Sequence, residues 1–241
     1  MTHIERITGA LVLASWWVIR GRWDSLSHCV EVSTSGVRAL AHYKIKARVV
    51  PCAFLAIDHD GETTVACGHS AQSLWDQIPA DQRADMDHAA WLAQHRRIDM
   101  PDPVHAAIDA SHCGHRIFVD LTAGQVRGLV DPPIAVPDYI RFNEPGWPEV
   151  VLHSGVGLRY GPSPNEPAAR RVIASAPPNP GIVDDFIAVM DFALACNLDR
   201  DAFTDGMIET AKQAKTIGEV LQNHAAITGV PLPPSLSART R

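Results

Sequence analysis

Cys29 is the residue best set for nucleophilic chemistry, because it stands at the expected N-terminus of a helix running from about residue 28 to residue 43. The polar turn Arg22-Trp23-Asp24-Ser25-Leu26-Ser27 comes directly before it and offers several capping side chains. A helix N-terminus carries unpaired N–H groups and the positive end of the peptide dipole, and both favour thiolate over thiol. The same N–H groups suit an oxyanion on an attacked carbonyl. Such a nucleophile needs a base within hydrogen-bond reach, and the base needs an orienting acceptor. Twelve histidines compete for the base role, so position has to choose. His105 opens one expected strand, 104–110, and Asp120 closes the next, 116–122. If the chain reverses near Cys113-Gly114, residues 105 and 120 lie roughly opposite each other. Cross-strand Cβ atoms are roughly 5 Å apart, within range of a His–Asp hydrogen bond. The chemistry on offer is acyl transfer by a Cys-His-Asp triad.

Other groups weigh against simpler roles. A free cysteine is often a small buried hydrophobe, a histidine at a strand edge is often just satisfied there, and Asp120 also suits a turn before Thr122. His28 adjoins Cys29, but successive helical residues point about 100° apart, which makes it a poor base for that thiol. Cys67, His69, His112, Cys113 and His115 are the right types for zinc, which would make a zinc hydrolase. No Cys-x-x-Cys pair is present, however, and the 112–115 group belongs to an expected turn, so no metal is assigned. Ser154-Gly-Val-Gly157 lacks the lysine and the strand–helix setting of a phosphate loop.

The elements that must position these residues follow from pattern. An apolar helix is expected over about 4–18, with Thr2 and Glu5 as a capping box. It is too short to span a bilayer, and no small-residue cleavage pattern follows it. Cys29, Ser33, Gly36, Val37 and Leu40 recur at helical spacing. Residues 46–57 are rich in β-formers and end at the turn Asp58-His-Asp-Gly61. Residues 70–97 read as mostly helical with a break at Pro79. Short strands and loops are expected over 130–160, and the six prolines between 160 and 181 predict an extended linker. Beyond it, Val183, Phe186, Ile187, Met190 and Leu194 form one apolar stripe, and Phe203, Met207, Ala211 and Ala214 form another. Thr216 and Glu219 form a capping box for a third helix ending near Gly229. The expected organisation is a catalytic domain over 1–160, a linker over 161–180 and a helical region over 181–241. That last region either covers the core or engages a partner.

Helix-leading Cys29, the strand Ile45-Lys-Ala-Arg-Val-Val50, His105 at a strand start and Val119-Asp-Leu-Thr-Ala-Gly-Gln125 follow one another in a familiar order. In this order the chain resembles papain-fold and transglutaminase-like cysteine enzymes. The likeness is nearest to minimal papain-fold proteins among bacterial toxins and uncharacterised bacterial or phage proteins, and it covers about 23–127. It implies an α+β fold with a nucleophile helix on a small antiparallel sheet. It further implies Cys29 as nucleophile, His105 as general base and acid, Asp120 as orienter, and Trp23, Thr122 and Gln125 as supporting residues. The Asp-x-Thr-x-x-Gln segment is the one that carries the third triad member in such proteins. Lys44 stands where the strand motif usually opens with glycine, and Val30 and Ala106 stand where many relatives carry an aromatic. No glutamine lies just upstream of Cys29. These departures leave a catalytically silent, protein-binding papain-fold module as the alternative.

The bulk numbers agree with such a protein. The chain has 241 residues, 46% hydrophobic and 20% charged, enough for a core without disulfides or metal. A net charge of −6 argues against nucleic acid or an anionic membrane as partner. Five cysteines at irregular spacings suit a reducing compartment, the cytoplasm. The expected partner is a protein or peptide substrate, and acyl transfer of this kind requires no cofactor.

Overall fold

Thr2 and Glu5 close a reciprocal box at the start of α1 (His3–Arg22). Thr2 N donates to Glu5 Oε2 at 2.7 Å, and Glu5 N donates to Thr2 Oγ1 at 3.4 Å. Two of the helix's first N–H groups are thereby satisfied, and Ile4, Ile7, Leu11, Ala14 and Val18 are buried along one face. The computed structural model describes residues 2–22, 28–57, 63–68, 72, 75–76, 78–94, 104–122, 140–141, 147–151, 155, 157–196 and 217–228. Of the expected turn at 22–27, Arg22 belongs to α1 and the rest lies outside them, as do the turn at 58–61, the stripe over 203–214 and the cap residue Thr216.

The second helix, α2 (Cys29–His42), begins at His28, whose side chain makes no capping bond. It ends in a left-handed turn. Lys44 has φ 61°, its N–H reaches Ala41 O at 3.1 Å, and the next N–H, from Ile45, reaches back to Leu40 O at 3.1 Å. That is the Schellman arrangement, in which glycine is the usual residue at the left-handed position. Ile45 is buried beyond it and leads into the first strand.

The fold is α+β. The strands are β1 (Lys46–Ile57), β2 (Thr63–Cys67), β3 (His105–His112), β4 (His115–Val119), β5 (Ile140–Arg141), β6 (Glu149–Val151) and β7 (Gly157–Pro162). Two short helices, α3 (Ala80–Arg83) and α4 (His88–Gln94), fall between β2 and β3. All seven strands join one antiparallel sheet in the order β5-β4-β3-β1-β7-β6, with β2 also on β1. The twelve-residue β1 organises it. Its first half pairs with β3, from Lys46↔Ser111 to Cys52↔His105. Its second half pairs with β2 on that same edge and with β7 on the other, through Cys52↔Pro162 to Ile57↔Gly157.

The hairpin β3–β4 turns at Cys113-Gly114, with φ values of 48° and 81°. Positive φ at both central positions is the twist-matched two-residue turn. It sets the register His112↔His115 through Ile108↔Val119.

The last helices are α5 (Glu166–Ser175), α6 (Pro180–Cys196) and α7 (Ile217–Thr228). They correct the expected 161–180 linker. That segment closes a strand in the sheet interior, then forms a helix capped by Asn165, whose side chain accepts from Ala168 N. The prolines occupy tolerant positions: Pro162 ends β7, Pro164 lies in the turn, Pro167 is in the first turn of α5, and Pro180 opens α6. Proline density marked boundaries between elements, and the elements themselves are short enough to fit between them.

One core lies between the sheet and the helices. Ile108, Ala110, Ile117, Val119 and Leu121 from β3, β4 and the residues just after them meet α1, α2 and α6, the last through Ile182, Phe186, Val189, Met190 and Phe192. Helix α6 therefore shares the core of the first 160 residues, and the expected boundary at 160 does not separate two cores. A Cβ on Gly36 would come within 2.7 Å of Leu121 Cδ1 and 2.8 Å of Ile108 Cδ1, so α2 approaches the sheet closely there. Among the described residues, no helix is long and apolar enough to cross a membrane.

Candidate active site

The candidate residues gather at the end of β3 where the strand begins. Cys29, first residue of α2, donates from Sγ to Val104 O at 3.2 Å. Val104 directly precedes His105. Four residues along the helix, Ser33 Oγ donates to Ala106 O at 2.9 Å, so α2 runs along β3 with its N-terminus at the strand's start. The thiol is half-buried and free.

His105 is 2% exposed and Asp120 is 1% exposed. His105 Nε2 lies 2.7 Å from Asp120 Oδ2. The cross-strand pairing expected from the sequence is shifted by two residues. With Ile108 opposite Val119, extending the register sets His105 against Thr122, and Asp120 reaches it on the diagonal. Thr122 takes a different part: its N–H and its Oγ1 both donate to Asp120 Oδ1, at 2.9 and 3.1 Å. Tyr160 OH donates to Oδ2 at 2.7 Å. Four donors thus converge on one carboxylate, two on each oxygen.

The wall around this group is apolar and tight. The Phe54 ring meets the His105 ring edge-on with centroids 4.9 Å apart. Phe118 meets the Tyr160 ring edge-on and Phe54 meets it at a tilt, with centroids 5.0 and 5.4 Å away. Cys52, fully buried, is the register partner of His105 on β1. Gly68, with φ +76°, passes so close that a Cβ there would be 2.7 Å from Cys52 O and 3.1 Å from His105 Cβ.

Burial pushes the Asp120 carboxyl upward, yet the charge of His105 opposes it. With the hydrogen bonds from His105, the Thr122 amide and Tyr160, that charge prevails and holds Asp120 below the usual carboxylate range. The residue is thus an anion whose oxygens are all engaged. It is suited to orient a ring and to stabilise an imidazolium, not to take up a proton itself.

Of the sequence-based candidates, the structure joins His105, Asp120 and Thr122 by hydrogen bonds, whereas Cys29 reaches the backbone of Val104 at the same end of β3 and makes no hydrogen bond to His105. Trp23 and Gln125 lie outside the described residues, as does His69. His28 pairs with Glu31 at 3.5 Å. His112, Cys113 and His115 sit at the β3–β4 turn, the far end of the hairpin from His105. Among the described residues, no three His, Cys, Asp or Glu side chains are grouped as a metal would need.

Tyr160 is the member that sequence reasoning missed. It stood at the edge of the proline-rich segment and was passed over, although Leu158-Arg159-Tyr160 carries the alternation of a strand. On the same sheet face, Asp109 binds Arg116 through Nε at 2.7 Å and Nη2 at 3.0 Å, and Arg48 through Nε at 3.0 Å. No protein-family model, curated protein or solved structure matches this chain.

Proposed function

We propose that the protein is a cysteine-dependent acyl-transfer enzyme of papain-like type, acting on amide bonds of a protein or peptide. The observation that carries this reading is the 2.7 Å bond between buried His105 and Asp120. It lies at the strand end where the Cys29 thiol meets Val104. In this reading the His105 ring, oriented by Asp120 through Nε2, takes the thiol proton as substrate binds. The thiolate attacks the substrate carbonyl, and the first N–H groups of α2 stabilise the oxyanion. His105 returns the proton to the leaving amine, giving a thioester bound to Cys29. Water then releases an acid, as in a peptidase or deamidase, or an amine takes the acyl group, as in a transglutaminase. No cofactor enters these steps. The free thiols of Cys29, Cys52 and Cys113 fit a reducing compartment, the cytoplasm.

One observation favours a second reading, a silent papain-fold module that binds a protein partner. The half-buried Cys29 thiol donates to a backbone carbonyl, as an unreactive structural cysteine does. The pH dependence of Cys29 alkylation by iodoacetamide, followed by peptide mass spectrometry, separates the two. In the enzyme, Cys29 reacts well below the free-thiol pKa of about 8.5, and His105→Ala abolishes that advantage. If Cys29 reacts no faster than Cys52 or Cys113, the binding module stands and the enzyme reading falls.

A further inference from the structure

We infer that Tyr160 is a positioning residue that tempers the His105–Asp120 pair by sharing its acceptor oxygen. This rests on the acyl-transfer reading of Cys29 and His105. Asp120 Oδ2 accepts from His105 Nε2 at 2.7 Å and from Tyr160 OH at 2.7 Å. Oδ1 is held separately by Thr122 N and Oγ1. Rotating the carboxylate would therefore break two bonds on one oxygen to improve one on the other. The tyrosine is itself fixed, since its ring is buried and packed against both Phe54 and Phe118.

Two donors on one oxygen draw on the same negative charge, so each binds more weakly than it would alone. The Tyr160 hydroxyl thus limits how strongly Asp120 stabilises protonated His105. A triad histidine must release its proton to the leaving group, and an imidazolium held too firmly is a poor general acid. The other titratable group beside this pair, among the described residues, is Cys52 from β1, the register partner of His105; Cys29 from α2 bonds the backbone one residue before it, at Val104. The ion group Arg48–Asp109–Arg116 lies further along the same face.

The geometry also assigns a reason for β7 to lie inside the sheet. Tyr160 pairs with Phe54, and two positions on Pro162 pairs with Cys52, itself the partner of His105. A strand beyond the resembling region 23–127 thus supplies a donor to the site.

The test compares wild-type protein, Tyr160→Phe, and protein grown with 3-fluorotyrosine, whose more acidic phenol is a stronger donor. The chain has only three tyrosines, Tyr43, Tyr139 and Tyr160. The fluorinated protein retains every phenol hydroxyl, so it serves as the second variant should Tyr160→Phe fail to fold. The readouts are the pH titration of the His105 ring by nitrogen-15 NMR, assigned with His105→Gln, and the Cys29 alkylation profile. The alkaline step of that profile marks loss of the imidazolium.

Tyr160→Phe is expected to move the His105 midpoint and that alkaline step upward by about half to one pH unit. Fluorotyrosine is expected to move both downward by a smaller amount. A midpoint that stays put, or moves the opposite way in either protein, overturns the inference. So does a shifted His105 midpoint that the Cys29 profile does not follow. Failure of the underlying reading looks different: Cys29 is then inert in the wild type as well.

Discussion

Asp120 accepts four hydrogen bonds with almost no exposure to water, so its two oxygens define the site more tightly than any other group. Replacing it with Asn turns one acceptor into a donor facing either His105 and Tyr160 or the two Thr122 groups. Asp120→Asn is expected to cut the Cys29 alkylation advantage near neutral pH by about 100-fold, a typical loss for a disabled acid–base group. Near-UV circular dichroism checks that the fold survives.

Acid gives a second residue-scale test. Burial opposes ionisation of Asp109 as well, but the hydrogen bonds and charges of Arg116 and Arg48 hold its carboxyl below the usual range, as His105 does for Asp120. In the unfolded chain an Asp has a value of about 3.9. Between the depressed native values and that value the unfolded state binds more protons. The stability contributed by both residues is therefore complete above about pH 5, and it is lost as pH falls through the depressed values. Urea midpoints between pH 6 and pH 2.5 are expected to fall with acid, less steeply in Asp109→Asn.

At the scale of elements, the site depends on how α2 is started, ended and pressed onto the sheet. Lys44 occupies a left-handed position that costs a side-chain-bearing residue about 1 kcal/mol. Lys44→Gly is expected to stabilise the protein by about 0.5 kcal/mol, the relief being partly offset by a freer unfolded chain. Equilibrium urea unfolding measures it. Gly36 is the contrary case. Gly36→Val forces a side chain into Leu121 and Ile108, and is expected to cost about 1–3 kcal/mol. Because that shift lifts the helix carrying Cys29, the alkylation rate is expected to change along with the melting temperature.

At the scale of the whole molecule, helix α6 belongs to the core. Ile182, Phe186, Val189, Met190 and Phe192 complete the core against α1 and α2. Tyr43 OH donates to Asp191 Oδ1 at 2.7 Å, and Asn179 Nδ2 donates to Glu31 Oε1 at 2.8 Å, tying α6 and its lead-in to the Cys29 helix. Burial of the Tyr43 phenol, with Asp191 beside it, raises its pKa far above the usual value, so the bond persists across the working range of pH. A chain stopped at residue 160 is expected to lose cooperative unfolding, because half of the helical layer is missing. Phe186→Ala in the full chain is expected to cost about 3–5 kcal/mol, read by urea unfolding.

Local signals determined much of this protein. The Thr2–Glu5 box, the period of α2, the β-rich run of β1 and the Cys113-Gly114 turn each follow from short-range propensity, and each formed where the residues predicted. The turn alone brings residues 105 and 120 onto neighbouring strands, so the His105–Asp120 bond was legible before any tertiary contact. The same turn, centred between residues 113 and 114, sets His105 against Thr122 and makes the Asp120 contact a diagonal one. Two things were not legible. The path of the proline-rich segment follows from the unpaired half of β1, which needed a strand on its second edge. Tyr160 entered the site for the same reason: its strand pairs with one 106 residues earlier in the chain at Phe54, a contact with no local signature, won by burying its ring against Phe54 and Phe118.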